Sequence, residues 1–120
     1  MHPKTIPQIV AELRAQPGID ITRLAKGTKL IVETTQGVFE FSVTNPRHGL
    51  VRVFGTDARL RAGISGQVLE SFYDIEGRVA VPNWITKSLR IQITFKNGVY
   101  PCTPALSARV EGAGWHYEVF

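Results

Sequence analysis

Apolar and polar residues alternate along most of the chain after Thr28, with the period of two that half-buried β-strands show. Turn-forming residues separate the alternating runs, among them Gln36-Gly37, Asp74-Ile75-Glu76-Gly77 and Asn97-Gly98. The spacing predicts about eight short strands, roughly 8–12 residues apart. Val99–Thr103 and Ser107–Val110 are two of them, and Pro101 and Pro104 place the first of these at an edge. Because no long helix separates them, the strands are expected to pair antiparallel. The sequence therefore predicts a mainly β protein, built as a small antiparallel β-barrel or sandwich.

The first residues follow a different period. Ile6, Ile9, Val10 and Leu13 recur as one apolar stripe of a helix, which we place over residues 5–16. Thr5 and Gln8 have the spacing of a capping box, and Pro17-Gly18 ends the helix. Asp20 is positioned to cap a second, single helical turn, and the pattern Asp-Ile-Thr-Arg-Leu is equally compatible with an extended segment. We expect one domain over residues 1–120, with this helix in front of a β-rich body at 28–120.

Composition narrows the class of protein. The chain has 120 residues, 43% of them hydrophobic, and a net charge of +4 that comes entirely from residues 1–61. Disordered chains contain fewer apolar residues, and no run approaches the ~20 apolar residues of a membrane span. The first residues do not have the pattern of a secretory signal. With Cys102 as the single cysteine, no disulfide can form within the chain, and we expect a cytoplasmic protein.

Catalytic and metal-binding patterns are not found in the sequence. The three histidines, His2, His48 and His116, are far apart and lack the clustered spacing of metal ligands. Asp74 and Glu76 lie in a turn, where solvated acids are ordinary, and no glycine-rich phosphate loop occurs. We therefore expect no catalytic residue, no metal, no cofactor and no enzymatic activity.

A basic stretch offers the first candidate binding surface. Four arginines lie within fifteen residues, accompanied by a histidine and a phenylalanine that could stack on a base: Arg47, His48, Arg52, Phe54, Arg59 and Arg61. Arginine favours planar, bidentate contact with phosphate or carboxylate. The competing interpretation is that these arginines only keep a strand and a glycine-rich loop solvated.

Two apolar features offer candidate contact surfaces. Trp84 either plugs one end of the β body or anchors a partner. The helical stripe, through Ile6, Ile9 and Leu13, either packs on the sheet or contacts another copy of the chain. At the C-terminus, Trp115, Tyr117 and Val119 alternate with polar residues, as in a strand that is paired inside the sheet or forms an edge open to another chain.

Residues 26–34, Lys-Gly-Thr-Lys-Leu-Ile-Val-Glu-Thr, followed by Val38-Phe39-Glu40-Phe41, resemble segments of small uncharacterised bacterial and phage β-barrel proteins. This resemblance implies an origin in a prokaryote or a mobile element, and it transfers no functional residue.

Three functions are compatible with the sequence. The first is a non-catalytic interaction module that binds a protein partner or its own copy, such as a regulatory or inhibitory protein of a phage or mobile element. The second is a nucleic-acid-binding β-barrel that uses the arginine-rich region, although a charge of +4 is modest for that role. The third is a small-molecule-binding barrel with Phe72, Tyr73, Trp84 and Tyr100 around a cavity. We rank them in this order.

Overall fold

The computed structural model describes residues 5–55, 63–73, 78–87, 90–96 and 98–120. They form one α-helix, α1 (Ile6–Arg14), and ten strands. The strands are β1 (Gly18–Asp20), β2 (Lys29–Thr34), β3 (Gly37–Asn45), β4 (Leu50–Gly55), β5 (Ile64–Tyr73), β6 (Arg78–Pro82), β7 (Trp84–Thr86), β8 (Arg90–Phe95), β9 (Gly98–Gly112) and β10 (Trp115–Glu118). Two 3₁₀ turns, Ile21–Arg23 and Pro46–His48, lie between them. The mainly β class is confirmed, with ten strands rather than about eight.

The predicted hairpin around Gln36-Gly37 is formed by β2 and β3. Its register runs from Lys29 opposite Ser42 to Thr34 opposite Gly37. The Thr34 hydroxyl closes the turn by donating to the Gly37 carbonyl oxygen at 2.9 Å, and Gly37 has a φ of +127°. Glycine is needed at such an angle because a side chain would clash with the backbone.

All strand pairs are antiparallel, in a two-stranded sheet, β1–β7, and an eight-stranded sheet. The order in the larger sheet is β10-β9-β2-β3-β4-β5-β6, and β8 pairs with both β5 and β9. Among the described residues, β10 and β6 each pair with one neighbour only, so the eight strands do not form a closed barrel. Of the predicted barrel or sandwich, the structure confirms the mainly β, antiparallel class. The predicted turn at residues 74–77 lies outside the described residues, and so does Asn97 of the predicted Asn97-Gly98 turn.

β9 is one strand of fifteen residues, where the sequence suggested two shorter ones. Its first half pairs with β8, and its second half pairs with β2. Pro101 and Pro104 lie in the first half, opposite Gln92 and Arg90. Proline has no N–H to donate, so it is tolerated in a strand where one side of the backbone is not paired. The first half of β9 pairs with β8 and not with β2, and β9 continues through both prolines.

The segment before β2 is attached through the small sheet. Thr5 and Gln8 form the predicted capping box, with the Thr5 N–H donating to Gln8 Oε1 at 2.8 Å and the Gln8 N–H donating to Thr5 Oγ1 at 3.3 Å. α1 ends at Arg14, earlier than residue 16. β1 then pairs with β7, which places Asp20 opposite Trp84. Asp20 caps the following 3₁₀ turn as predicted.

One apolar cluster forms the core, and it is made from alternate residues of the strands. The fully or nearly fully buried members are Ile21, Leu30, Val32, Phe39, Phe41, Val43, Val51, Val53, Val68, Ile85, Ile91, Ile93, Ala105, Ala108 and Val110. Burying a large apolar side chain contributes about 1.5–3 kcal/mol. Apolar residues recur at every second position of the sequence because one face of each strand packs against this core.

Candidate interaction site

The strand β10 presents its side chains to solvent. It ends the strand order and pairs with β9 on one side, and all four of its residues are exposed. Trp115 and Tyr117 are 47% and 48% exposed, and their rings are stacked with centroids 5.8 Å apart. Large aromatic groups that remain in solvent on an edge strand are typical of surfaces that contact another chain.

The hairpin between β9 and β10 fixes the position of Trp115. The indole lies over Gly112, its partner across the ladder, and a Cβ on Gly112 would overlap the indole ring. Gly114, at the end of the turn, has a φ of +76° with open space around it. The two glycines therefore let the chain reverse tightly and let Trp115 lie flat against the ladder.

Two of the β10 side chains, Trp115 and Tyr117, continue the core face of β9. Tyr117 lies opposite Val110, which is fully buried, and opposed residues of an antiparallel pair point to the same face. Val119, two residues after Tyr117, packs against the core. Trp115 and Tyr117 consequently extend the apolar face of the sheet beyond the region that the core covers.

The backbone N–H and C=O groups of successive β10 residues point alternately toward β9 and away from it. The Val119 N–H donates to the Ala108 carbonyl oxygen at 2.8 Å, toward β9. Since hydrogen-bonding groups alternate sides along a strand, Tyr117 and Trp115 direct theirs to β9 as well. The backbone N–H and C=O groups of His116 and Glu118 therefore point to the open edge. A further strand could pair at these two residues.

A cleft of about 450 Å³ adjoins Tyr117, with Ile19, Leu24 and Trp84 among its apolar lining. Arg14 also lines the cleft, and its guanidinium lies 5.7 Å from the centroid of the Trp84 ring and 3.5 Å from Asp20 Oδ2. Arg23 also lines this cleft.

The structure describes the side chain of only one of the four predicted interface residues, Trp84. Trp84 is only 9% exposed, which is the position of a plug rather than of an exposed anchor. Ile6, Ile9 and Leu13 belong to α1, but their side chains lie outside the described part of the structure. The side chains of Phe72, Tyr73 and Tyr100, proposed to line a cavity, also lie outside it.

The arginine-rich region is described in part. Arg47 and His48 are exposed on the 3₁₀ turn before β4, and Arg52 is exposed on β4 itself. The Arg52 guanidinium lies 5.8 Å from the centroid of the Phe54 ring, so the two predicted residues are in contact. Arg59 and Arg61 lie outside the described residues.

The neighbours of Arg52 across the sheet are small and polar. Ser42 and Ser65 lie opposite Arg52 on the adjacent strands, and Lys29 lies beyond Ser42. However, Glu40 lies opposite Phe54, the aromatic partner of Arg52. This face therefore carries both signs of charge.

In the part of the chain that the structure describes, no three His, Cys, Asp or Glu side chains come close enough together to hold a metal ion. α1 has nine residues, and no described helix reaches the length and apolar character of a membrane span.

Comparison with protein-family models, with curated proteins and with solved structures found no match to this chain. The resemblance of residues 26–41 to small bacterial and phage proteins therefore stays a prediction.

Proposed function

We propose that this chain is a non-catalytic interaction module that receives an extended strand of a protein partner at the open edge of β10. The observation that carries the proposal is the edge itself, where Trp115 and Tyr117 are half exposed and stacked on a strand that ends the sheet order. Adding a strand to such an edge gives main-chain hydrogen bonds for affinity and side-chain contacts for specificity.

The backbone groups and the side chains of β10 both alternate in direction, and together they determine what a partner strand must supply. Outward backbone groups of His116 and Glu118 require a strand that supplies N–H and C=O groups two residues apart. The aromatic face of Trp115 and Tyr117 requires apolar residues at alternate positions of that strand. We therefore expect an alternating apolar–polar segment as the ligand.

A displayed library of random eight-residue peptides tests this proposal. We expect selection on the immobilised protein to enrich alternating apolar–polar sequences. Replacing His116 by proline removes an N–H that points away from β9, and it should weaken binding of the enriched peptides about fivefold to tenfold, the effect of one lost hydrogen bond. Fluorescence anisotropy with the synthetic peptides measures the affinities.

Leu106→Ala is the matched control, because Leu106 is 49% exposed, as Tyr117 is, but lies in β9 rather than at the edge. It should leave peptide affinity unchanged, whereas Tyr117→Ala should reduce it. Enrichment of sequences without alternation, or equal affinity of wild type and His116→Pro, would contradict strand addition at β10. Thermal unfolding of each variant confirms that it is folded.

The resemblance of residues 26–41 implies an origin in a prokaryote or a mobile element, and the single cysteine, Cys102, suits the cytoplasm. Within that setting we propose a regulatory or inhibitory role for the module. The architecture we propose is a partly open barrel. Its support is that β9 pairs with both β8 and β2, so this one strand joins β8 to the run of strands that begins at β2.

Nucleic-acid binding is the second candidate function. It is favoured by one observation, the exposed Arg52 guanidinium over the Phe54 ring, with Arg47 and His48 exposed on the preceding turn. Arginine and an aromatic ring together suit a phosphate and a stacked base. Glu40 beside Phe54 weakens this surface for an anion, so we rank it second.

A further inference from the structure

We infer that the strand received at the β10 edge is β10 of a second copy of this chain, paired antiparallel about a two-fold axis at Tyr117. The inference rests on the proposed function, because it names the partner of the same edge. A two-fold interface brings the same surface of both copies together, so the surface must be complementary to itself. β10 meets this condition in one register.

The backbone restricts the register first. His116 and Glu118 carry the outward hydrogen-bonding groups, because Val119 donates toward β9 and the sides alternate along the strand. Two residues can form a hydrogen-bonded pair across the interface only if the backbone groups of both point away from their own β9. A two-fold axis at Tyr117 gives two such pairs, because His116 of each copy then pairs with Glu118 of the other.

The side chains distinguish this register from the neighbouring ones. An axis at Glu118 would place two carboxylates opposite each other, which destabilises a cross-strand pair. An axis at His116 would place two imidazoles opposite each other and Glu118 opposite Gly114 of the turn. With the axis at Tyr117, each imidazole faces a carboxylate across the interface, so acidic and basic groups are complementary at both pairs.

The apolar face of β10, which carries Trp115 and Tyr117, is also complementary to itself in this register. Tyr117 of one copy lies beside Tyr117 of the other, and Trp115 lies opposite Val119. Val119 already packs against the core, and Trp115 and Tyr117 share its face of the sheet. Pairing therefore joins the two apolar faces and covers the stacked rings that are half exposed in one chain.

Disulfide trapping tests the register in the full chain, with the native thiol removed by Cys102→Ser. Residues opposite each other in a non-hydrogen-bonded antiparallel pair have Cα atoms about 4.5 Å apart, within the range a disulfide spans. We expect Tyr117→Cys to form a covalent dimer on mild oxidation. His116→Cys is the control, because His116 faces Glu118 and its own copy lies diagonally at about 7–8 Å. More efficient cross-linking of His116→Cys than of Tyr117→Cys would overturn the register.

Sedimentation equilibrium over a dilution series tests the pairing without a cross-link. We expect wild type to shift with concentration from 13.3 kDa toward twice that mass. His116→Glu places a carboxylate opposite Glu118 at both His116–Glu118 pairs of the interface and should weaken self-association about tenfold. His116→Lys keeps a basic group there, and also opposite Glu111 of its own chain, so it should not weaken self-association. Leu106→Ala, which changes an exposed residue of β9 and not of the edge strand, should leave self-association unchanged.

A monomer at every concentration, together with no disulfide at Tyr117→Cys, would overturn the inference. If enriched library peptides still bound and His116→Pro still weakened them, the edge would accept a foreign strand, and the proposed function would stand without the second copy. If neither the peptides nor a second copy bound, both would be rejected.

Discussion

Gly49 lies just before β4, in close contact with the side chain of Asn83. Its φ is +64°, and a Cβ placed on it would overlap the Asn83 amide. Asn83 also has a positive φ, of 60°, and its backbone joins two parts of the molecule: its N–H donates to the Val68 carbonyl oxygen and its carbonyl oxygen accepts from the Ile21 N–H, each at 2.9 Å. Both the angle and the space therefore require glycine at residue 49.

Replacing Gly49 by alanine should lower the free energy of unfolding by about 2–5 kcal/mol, the sum of the cost of a side chain on a left-handed backbone and of the cost of overpacking against Asn83. Gly27→Ala is the matched control, because Gly27 has a φ of +88° but no atom lies within 4 Å of the place that a Cβ would occupy. It should cost about 1 kcal/mol. Urea unfolding measures both, and equal losses would mean that the Asn83 side chain moves away at no cost.

At the scale of elements, the sequence predicted the parts that local chemistry decides. The β2–β3 hairpin follows from alternation around a glycine turn, and the Asp20 cap follows from one side chain and its neighbours. Pairing of β1 with β7 was not predicted, since two three-residue strands more than sixty residues apart carry no period of their own. Val99–Thr103 and Ser107–Val110 were predicted as two strands but form the single strand β9, because the sequence does not indicate that one strand pairs with β8 in its first half and with β2 in its second.

The cap at Asp20 allows a test at the start of the 3₁₀ turn. Asp20 Oδ1 accepts from the Thr22 N–H at 3.0 Å and from the Thr22 hydroxyl at 2.6 Å, while Oδ2 lies 3.5 Å from Arg14. Asp20→Ala loses all three contacts and should lower the free energy of unfolding by about 1 kcal/mol or somewhat more.

Asp20→Asn separates the cap from the ion pair, because it keeps the Oδ1 acceptor and removes the charge. The ion pair is partly exposed, so this variant should lose between about 0 and 1 kcal/mol, and high salt should reduce the difference from wild type. Urea unfolding at low and high salt measures both effects. If Asp20→Asn were as damaging as Asp20→Ala at both salt concentrations, the cap would not be the stabilising contact.

At the scale of the whole molecule, only part of the candidate site could be predicted from the sequence. Alternation of Trp115, Tyr117 and Val119 already indicated a strand that is either inside the sheet or at its edge, and the strand order places it at the edge. Which backbone groups face outward could not be derived without the register against β9. The cleft beside Tyr117 was not predicted, because Arg14 and Trp84 meet only through the pairing of β1 with β7.

Charge is also a property of the whole molecule, and it decides how the second candidate function is tested. All of the net charge of +4 comes from residues 1–61, and four of the basic residues there are the arginines of the predicted binding region, Arg47, Arg52, Arg59 and Arg61. If each neutralises one phosphate of single-stranded DNA, the logarithm of the binding constant should fall with the logarithm of salt concentration with a slope of about −3.

Arg52→Ala should reduce the steepness of that slope by about 0.7, because the release of one counterion is lost. Arg109→Ala is the matched control, since Arg109 is exposed on β9 and its guanidinium lies 2.9 Å from Glu111. It should leave the slope unchanged. Fluorescence anisotropy of a labelled oligonucleotide measures the slopes. Equal slopes for the two variants, or no binding at low salt, would remove nucleic acid as a partner and leave strand addition at β10 as the function that the exposed surface supports.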